Sequence, residues 1–90
     1  MNKEISISIV IPVLNEAESL LALHSEISKS LNTFTNVEII FIDDGSTDDS
    51  YKNMINIADK DKRVEIIHFF KNFGKSDALS EGFKKAVGDI

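Results

Sequence analysis

The chain has 90 residues, 42 % hydrophobic and 28 % charged, with a formal net charge of −5 and no cysteine. That length supports one small core, and the missing cysteines exclude disulfides, thiolate nucleophiles and zinc–thiolate sites. No basic stripe is present to meet a nucleic-acid backbone, so no nucleic-acid partner is expected.

Ile5 to Ile11 is β-branched, alternating at first and then wholly apolar, and reads as a first strand. Pro12 cannot donate to a ladder and marks its end. The apolar stretch Ile5 to Leu14 is short and broken by Ser6, Ser8 and Pro12. It suits neither a signal peptide nor a membrane span, and the segment is expected to be soluble and cytoplasmic. From Asn15 the period becomes helical, with Leu20, Leu23, Ile27 and Leu31 in one stripe and Leu21 and His24 beside it. Asn15 is the expected N-cap, and Glu16 and Glu18 suit the positive end of the helix. A polar turn from Asn32 to Asn36 follows.

Val37 to Asp43, with only Glu38 polar before the closing acid, predicts a strand buried on both faces, as in parallel sheets. Ser46 or Thr47 is expected to cap a second helix, with Asp48 and Asp49 in its first turn and Tyr51, Met54, Ile55 and Ala58 facing inward. The run Asp59-Lys60-Asp61-Lys62-Arg63 reads as a solvated helix end and loop. Val64 to Phe70 is a third strand, and Lys71 to Lys75 a loop containing Gly74. A third helix is predicted over Ser76 to Val87, with Leu79, Phe83, Ala86 and Val87 inward. Gly82 sits within it at a cost of about 1 kcal/mol relative to alanine, so close packing or ligand approach is expected there.

The fold class is therefore α/β, a Rossmann-like parallel sheet of β-α-β-α-β-α order with right-handed crossovers. Three parallel strands leave an apolar sheet edge uncovered. Two explanations remain open: the 90 residues are one part of a larger domain, or the edge pairs with a second copy.

In such sheets ligands bind in the crevice at the carboxyl ends of the strands. Asp43 and Asp44 end the second strand there, and adjacent strand residues point to opposite faces. They are thus not a proton-sharing dyad. One can face the crevice, where it would accept from a base N–H or ribose hydroxyls, while the other satisfies backbone amides. A calcium loop fails, because glycine is third after the first Asp rather than sixth. Lys71, Asn72 and Lys75 around Gly74 could hold a phosphate ahead of a helix. His68 alternates with apolar neighbours and reads as a core or edge histidine, and His24 as a helix-flank one. The G-x-S-x-G, G-x-G-x-x-G and P-loop patterns are absent.

Three blocks in order carry a family resemblance: Ile7-Ser8-Ile9-Val10-Ile11-Pro12 with Asn15-Glu16, then Ile42-Asp43-Asp44-Gly45-Ser46-Thr47-Asp48, then Asn72-Phe73-Gly74-Lys75 with Ala78, Gly82, Ala86 and Gly88-Asp89. Together they resemble the N-terminal half of family 2 glycosyltransferases of the GT-A fold, and the Asn-Phe-Gly-Lys block resembles the branch acting on polyprenyl phosphates, such as dolichyl-phosphate mannose synthase. The resemblance implies a nucleotide-diphosphate sugar donor, inversion at the sugar, and a polyprenyl phosphate or growing glycan as acceptor. It implies that Pro12, Leu14 and Glu16 line the nucleotide pocket, that Asp44 contacts the base with Ile42 near it, and that Lys75 approaches the diphosphate. Leu14 stands where the family often carries tyrosine, so neither ring nor hydroxyl is offered there. The D-x-D acids that hold Mg²⁺ or Mn²⁺, and the base, are expected beyond residue 90. The segment alone is then expected to be inactive, with any membrane association coming from further sequence at the cytoplasmic face. Other readings are a nucleotidyltransferase, a receiver-like signalling module and a module that only self-associates.

Overall fold

The computed structural model describes residues 5–88. Three strands, β1 (Ser6–Val13), β2 (Asn36–Asp44) and β3 (Val64–Phe69), alternate with three helices, α1 (Ala17–Ser30), α2 (Ser50–Lys60) and α3 (Lys75–Lys85). The sheet is parallel in the order β1-β2-β3, with Ile9 opposite Ile39 and Ile39 opposite Val64. The expected α/β order is the one found. Asp89, part of the third sequence block, lies outside the described residues.

β2 is central and fully buried from Ile39 to Ile42 because a helix layer covers each face. On one face Phe41, Ile39 and Val37 pack with Leu20 of α1 and with Met54 and Ile57 of α2. On the other, Ile40 and Ile42 pack with Ala78 of α3, and Val10, Ile67 and Phe69 adjoin. Each large apolar side chain so enclosed contributes about 1.5–3 kcal/mol.

Several local expectations are corrected. β1 runs through Pro12, which stands opposite Ile42, and ends at Val13. Among the described residues β1 has a strand neighbour on one side only, and a margin strand tolerates a residue without N–H. β3 ends at Phe69, leaving Phe70 86 % exposed. In α2 the buried positions are Ser50, Met54 and Ile57, while Ile55 is exposed. In α3 they are Ala78 and Gly82, not Leu79 or Phe83, and Phe83 is 64 % exposed. The reason is distance: a Cβ on Gly82 would overlap a Val10 methyl and come within 2.7 Å of Ile42 Cδ1. Gly82 is there for close packing, and α3 rests on β1 and β2 through its smallest residues.

The run Asp59 to Arg63 is not merely solvated. Asp61 accepts from Arg63 Nε at 2.9 Å and from an Arg63 terminal nitrogen at 2.7 Å, and pairs with His24 Nε2 at 2.8 Å. Arg63 also donates to Ser28 Oγ, tying the end of α2 to α1. Hydrogen bonds from Arg63 hold the Asp61 carboxyl far below its ordinary value of 3.8, outweighing burial, with His24 adding to the effect. A lowered folded pKa means stability that is full above pH 3.8 and lost as pH falls below it. Asp61→Ala should therefore cost about 1–2 kcal/mol at pH 7. Urea unfolding should find that difference shrinking below pH 3; an unchanged difference would contradict the assignment.

Candidate functional site

Three loops meet at the carboxyl ends of the strands, and hydrogen bonds between them tie them together. Asn15 is in the left-handed region, φ 53°, which asparagine tolerates better than most residues. It is not the N-cap of α1; Glu16 is, and makes no side-chain cap. Instead Asn15 Oδ1 accepts from Thr47 N at 2.8 Å and Asp48 N at 3.2 Å, while Asn15 N donates to Ser46 Oγ at 2.9 Å. In return, Glu16 N donates to Ser50 Oγ at 2.8 Å and Ala17 N to Asp48 Oδ2 at 3.3 Å. The amides of Glu16 and Ala17 at the start of α1 are thus met by Ser50, the first residue of α2, and by Asp48 in the loop before it. Ser46 and Thr47 cap nothing, and Asp48 and Asp49 precede α2, whose N-cap is Asp49. Hydrogen bonding from Ser50 holds the exposed Asp48 carboxyl below its usual range.

Asp43 and Asp44 diverge as alternation requires. Asp43 faces the α2 side, where it accepts from Ser46 N at 2.9 Å and His68 Nδ1 at 2.8 Å. Asp44 faces the α3 side. It accepts from Phe73 N at 2.8 Å, Gly74 N at 3.1 Å and Asn72 Nδ2 at 3.1 Å. A carboxylate has about four lone-pair sites, so roughly one remains for a ligand. The carboxylate also occupies the amides just before α3, where an anion would otherwise bind. Any phosphate nearby must then rely on Lys75, the first residue of α3.

A hollow of about 270 Å³ lies on this side, lined by Pro12, Val13, Leu14, Glu16, Asp44, Asn72, Gly74 and Lys75. Five of the six residues singled out from the sequence, Pro12, Leu14, Glu16, Asp44 and Lys75, are brought together on its wall. Ile42 is not: it is fully buried in the core beneath α3. Lys71 does not line the hollow either; its ammonium lies 5.1 Å from the Phe73 ring centroid. The bridging role of Asn15 and the cradle role of Asn72 were not read from the sequence, since both depend on which loops the sheet brings together.

No group of three or more His, Asp or Glu among the described residues is placed to hold a metal ion. Asp43 and Asp44, the adjacent acids, point apart and are committed to amides and His68. The residues present therefore do not fit a metal site of their own.

The model of glycosyl transferase family 2 matches residues 8–90. The chain belongs to that family. It is 46 % identical over 84 residues to an uncharacterized glycosyltransferase of Haemophilus influenzae, covering 92 % of this chain and 32 % of the relative. It is 40 % identical over 86 residues to the undecaprenyl-phosphate 4-deoxy-4-formamido-L-arabinose transferase of Yersinia pestis, covering 93 % and 26 %. The mannosyltransferase PcManGT from Pyrobaculum calidifontis, solved in complex with GDP-Man and Mn²⁺, has the same fold with a TM-score of 0.82 at 18 % identity, over 98 % of this chain and 26 % of that one. The family 2 chain thus spans about a quarter to a third of the length of the relatives it matches. The hollow at the strand ends is the feature to be explained in its terms.

Proposed function

We propose that this chain forms the donor-nucleotide part of a family 2 glycosyltransferase, binding a nucleotide-diphosphate sugar in the hollow between Pro12–Glu16 and Asp44. The observation that carries the reading is Asp44: a buried carboxylate, fixed by three donors, bordering a cavity with acceptor capacity left over. In this reading a base N–H meets Asp44, Pro12 and Leu14 cover the apolar face of the base, and Glu16 accepts from a ribose hydroxyl. Lys75, exposed at the hollow's rim, faces the diphosphate. Ile42 acts from below, setting the floor against α3 rather than touching the nucleotide.

The reaction proposed for the whole protein is inverting transfer of the sugar to an acceptor, a polyprenyl phosphate by analogy with the name of the Yersinia relative. Such transfer would take place at the cytoplasmic face of a membrane. Among the described residues no helix is long and apolar enough to cross one. A divalent cation, Mg²⁺ or Mn²⁺, would neutralise the departing diphosphate. We place the acids that hold it, and the base, in sequence following residue 90. A receiver-like module is disfavoured, because β3 leads into Phe70 and Lys71 rather than an acid.

Calorimetric titration of the chain with UDP- and GDP-sugars, with and without Mn²⁺, should give saturable binding to one nucleotide class. Absence of binding to every nucleotide sugar, by the chain and by a longer form carrying the D-x-D acids, would overturn the proposal. Among the described residues β1 has one strand neighbour, and residues 6–11 carry no charge, leaving Pro12 alone to oppose pairing there. Sedimentation of the same samples should therefore find the chain self-associating.

A further inference from the structure

His68 and Asp43 take no part in the hollow, since both face α2 while the hollow lies toward α3. Asp43 is nevertheless completely buried, and a buried carboxylate persists only where its oxygens are met by donors. One oxygen accepts from Ser46 N; the other has His68 Nδ1 at 2.8 Å. His68 is in turn held against Tyr51 of α2, the rings stacked with centroids 3.8 Å apart and planes 19° apart. From Ser46 the connection continues, because Ser46 Oγ accepts from Asn15 N, and Asn15 Oδ1 returns to Thr47 and Asp48. Leu14 and Glu16, the residues flanking Asn15, form the wall of the hollow opposite Asp44.

We infer that His68 is a positioning residue: through Asp43 and the Gly45–Ser46 turn it fixes Asn15, and so sets the Leu14–Glu16 wall of the ligand hollow. Without its N–H, one oxygen of a buried carboxylate has no donor. The carboxylate then turns toward water, and Ser46 leaves the position from which it holds Asn15. Asn15, kept at φ 53° by these bonds, relaxes toward ordinary backbone and carries Leu14 and Glu16 with it. The structural claim stands on the hydrogen bonds alone; its consequence for ligand binding rests on the nucleotide reading above.

Two variants separate donor from ring. His68→Phe keeps a ring for Tyr51 but has no donor, and His68→Asn places an N–H the same number of bonds from the backbone as Nδ1. In ¹⁵N spectra of the 90-residue chain, His68→Phe should shift the Asn15, Glu16 and Ser46 amides and speed their hydrogen exchange by about tenfold. His68→Asn should restore both. Nucleotide-sugar affinity should fall about fivefold in His68→Phe and return in His68→Asn, as expected for coupled groups. Asn15 and Glu16 amides unmoved in His68→Phe, or moved equally in both variants, would overturn the inference. Amides that behave as expected, with no nucleotide bound by the chain or by the longer form, would uphold the positioning role and remove the nucleotide reading instead. If His68→Phe does not fold, Asp43→Asn, which weakens the pair with His68 from the other side, should move the same amides; unmoved amides there overturn the inference too.

Discussion

Gly45→Ala is expected to destabilise the chain by about 3–5 kcal/mol, enough to unfold much of a 90-residue domain whose total stability is of that order. Two independent effects add. Gly45 has φ +80°, a left-handed conformation that costs a residue with a Cβ about 1–2 kcal/mol. An added Cβ would also overlap the carbonyl carbon of Lys71 and the amide nitrogen of Asn72. Those are backbone atoms, so no rotamer change relieves the contact. Relief requires the β3–α3 loop to withdraw, and that loop supplies every donor that holds the Asp44 side chain. Gly74→Ala is the control: φ 103° and ψ 156° are close to a region only glycine adopts freely, but nothing lies within 4 Å of its added Cβ, so only the conformational cost of about 1–3 kcal/mol applies. Urea denaturation of both variants checks the contrast. Equal losses would mean that the close approach of the two loops at Gly45 is not as described.

That contrast marks what a sequence can and cannot disclose here. The strands were legible because β2 must be apolar on both faces to lie between two helix layers, and its pattern has no other use. On the inner faces of α2 and α3, Met54, Ala58 and Ala86 stand as expected, while Ile55, Phe83 and Val87 do not, because a hydrophobic pattern weighs large residues. α3 touches the sheet through Ala78 and Gly82, small residues chosen by closeness, while the larger Phe83 lies outside. Pro12 misled for a related reason: its missing N–H ends a central strand but is harmless at a margin. For the site, alternation along β2 placed Asp43 and Asp44 on opposite faces without further information. Which of the two faced the hollow was given by family resemblance, and the geometry agrees with Asp44. The partners were out of reach. Asn15 with Thr47, Asp44 with Phe73 and Asp61 with His24 are separated by about thirty residues or more, and only the register of the parallel sheet brings them together.

Asp44→Ala should have the largest effect on ligand binding, because it removes the proposed base contact and the loop's anchor together. Phe73 N and Gly74 N would lose their shared acceptor, while Asn72 Nδ2 would keep only the Asp44 carbonyl oxygen. Leaving such donors unmet costs about 1–3 kcal/mol, partly recovered because the hollow admits water to them. The loop leading into Lys75 then loosens, so the proposed base and diphosphate contacts weaken at once. An affinity loss of at least about tenfold follows, since about 1.4 kcal/mol corresponds to that factor. Asp44→Asn should be milder in stability, because one oxygen still accepts, yet nearly as harmful to binding. Its NH₂ presents a donor where a donating base needs an acceptor. Asp43→Asn offers the matching comparison on the other face: it weakens the pair with His68, and so disturbs the Leu14–Glu16 wall, but leaves the Asp44 cradle intact. Calorimetry on the three variants orders them. If Asp44→Asn binds as tightly as the unaltered chain while Asp43→Asn does not, the nucleotide is read by the Leu14–Glu16 side of the hollow, and Asp44 serves only to hold its loop.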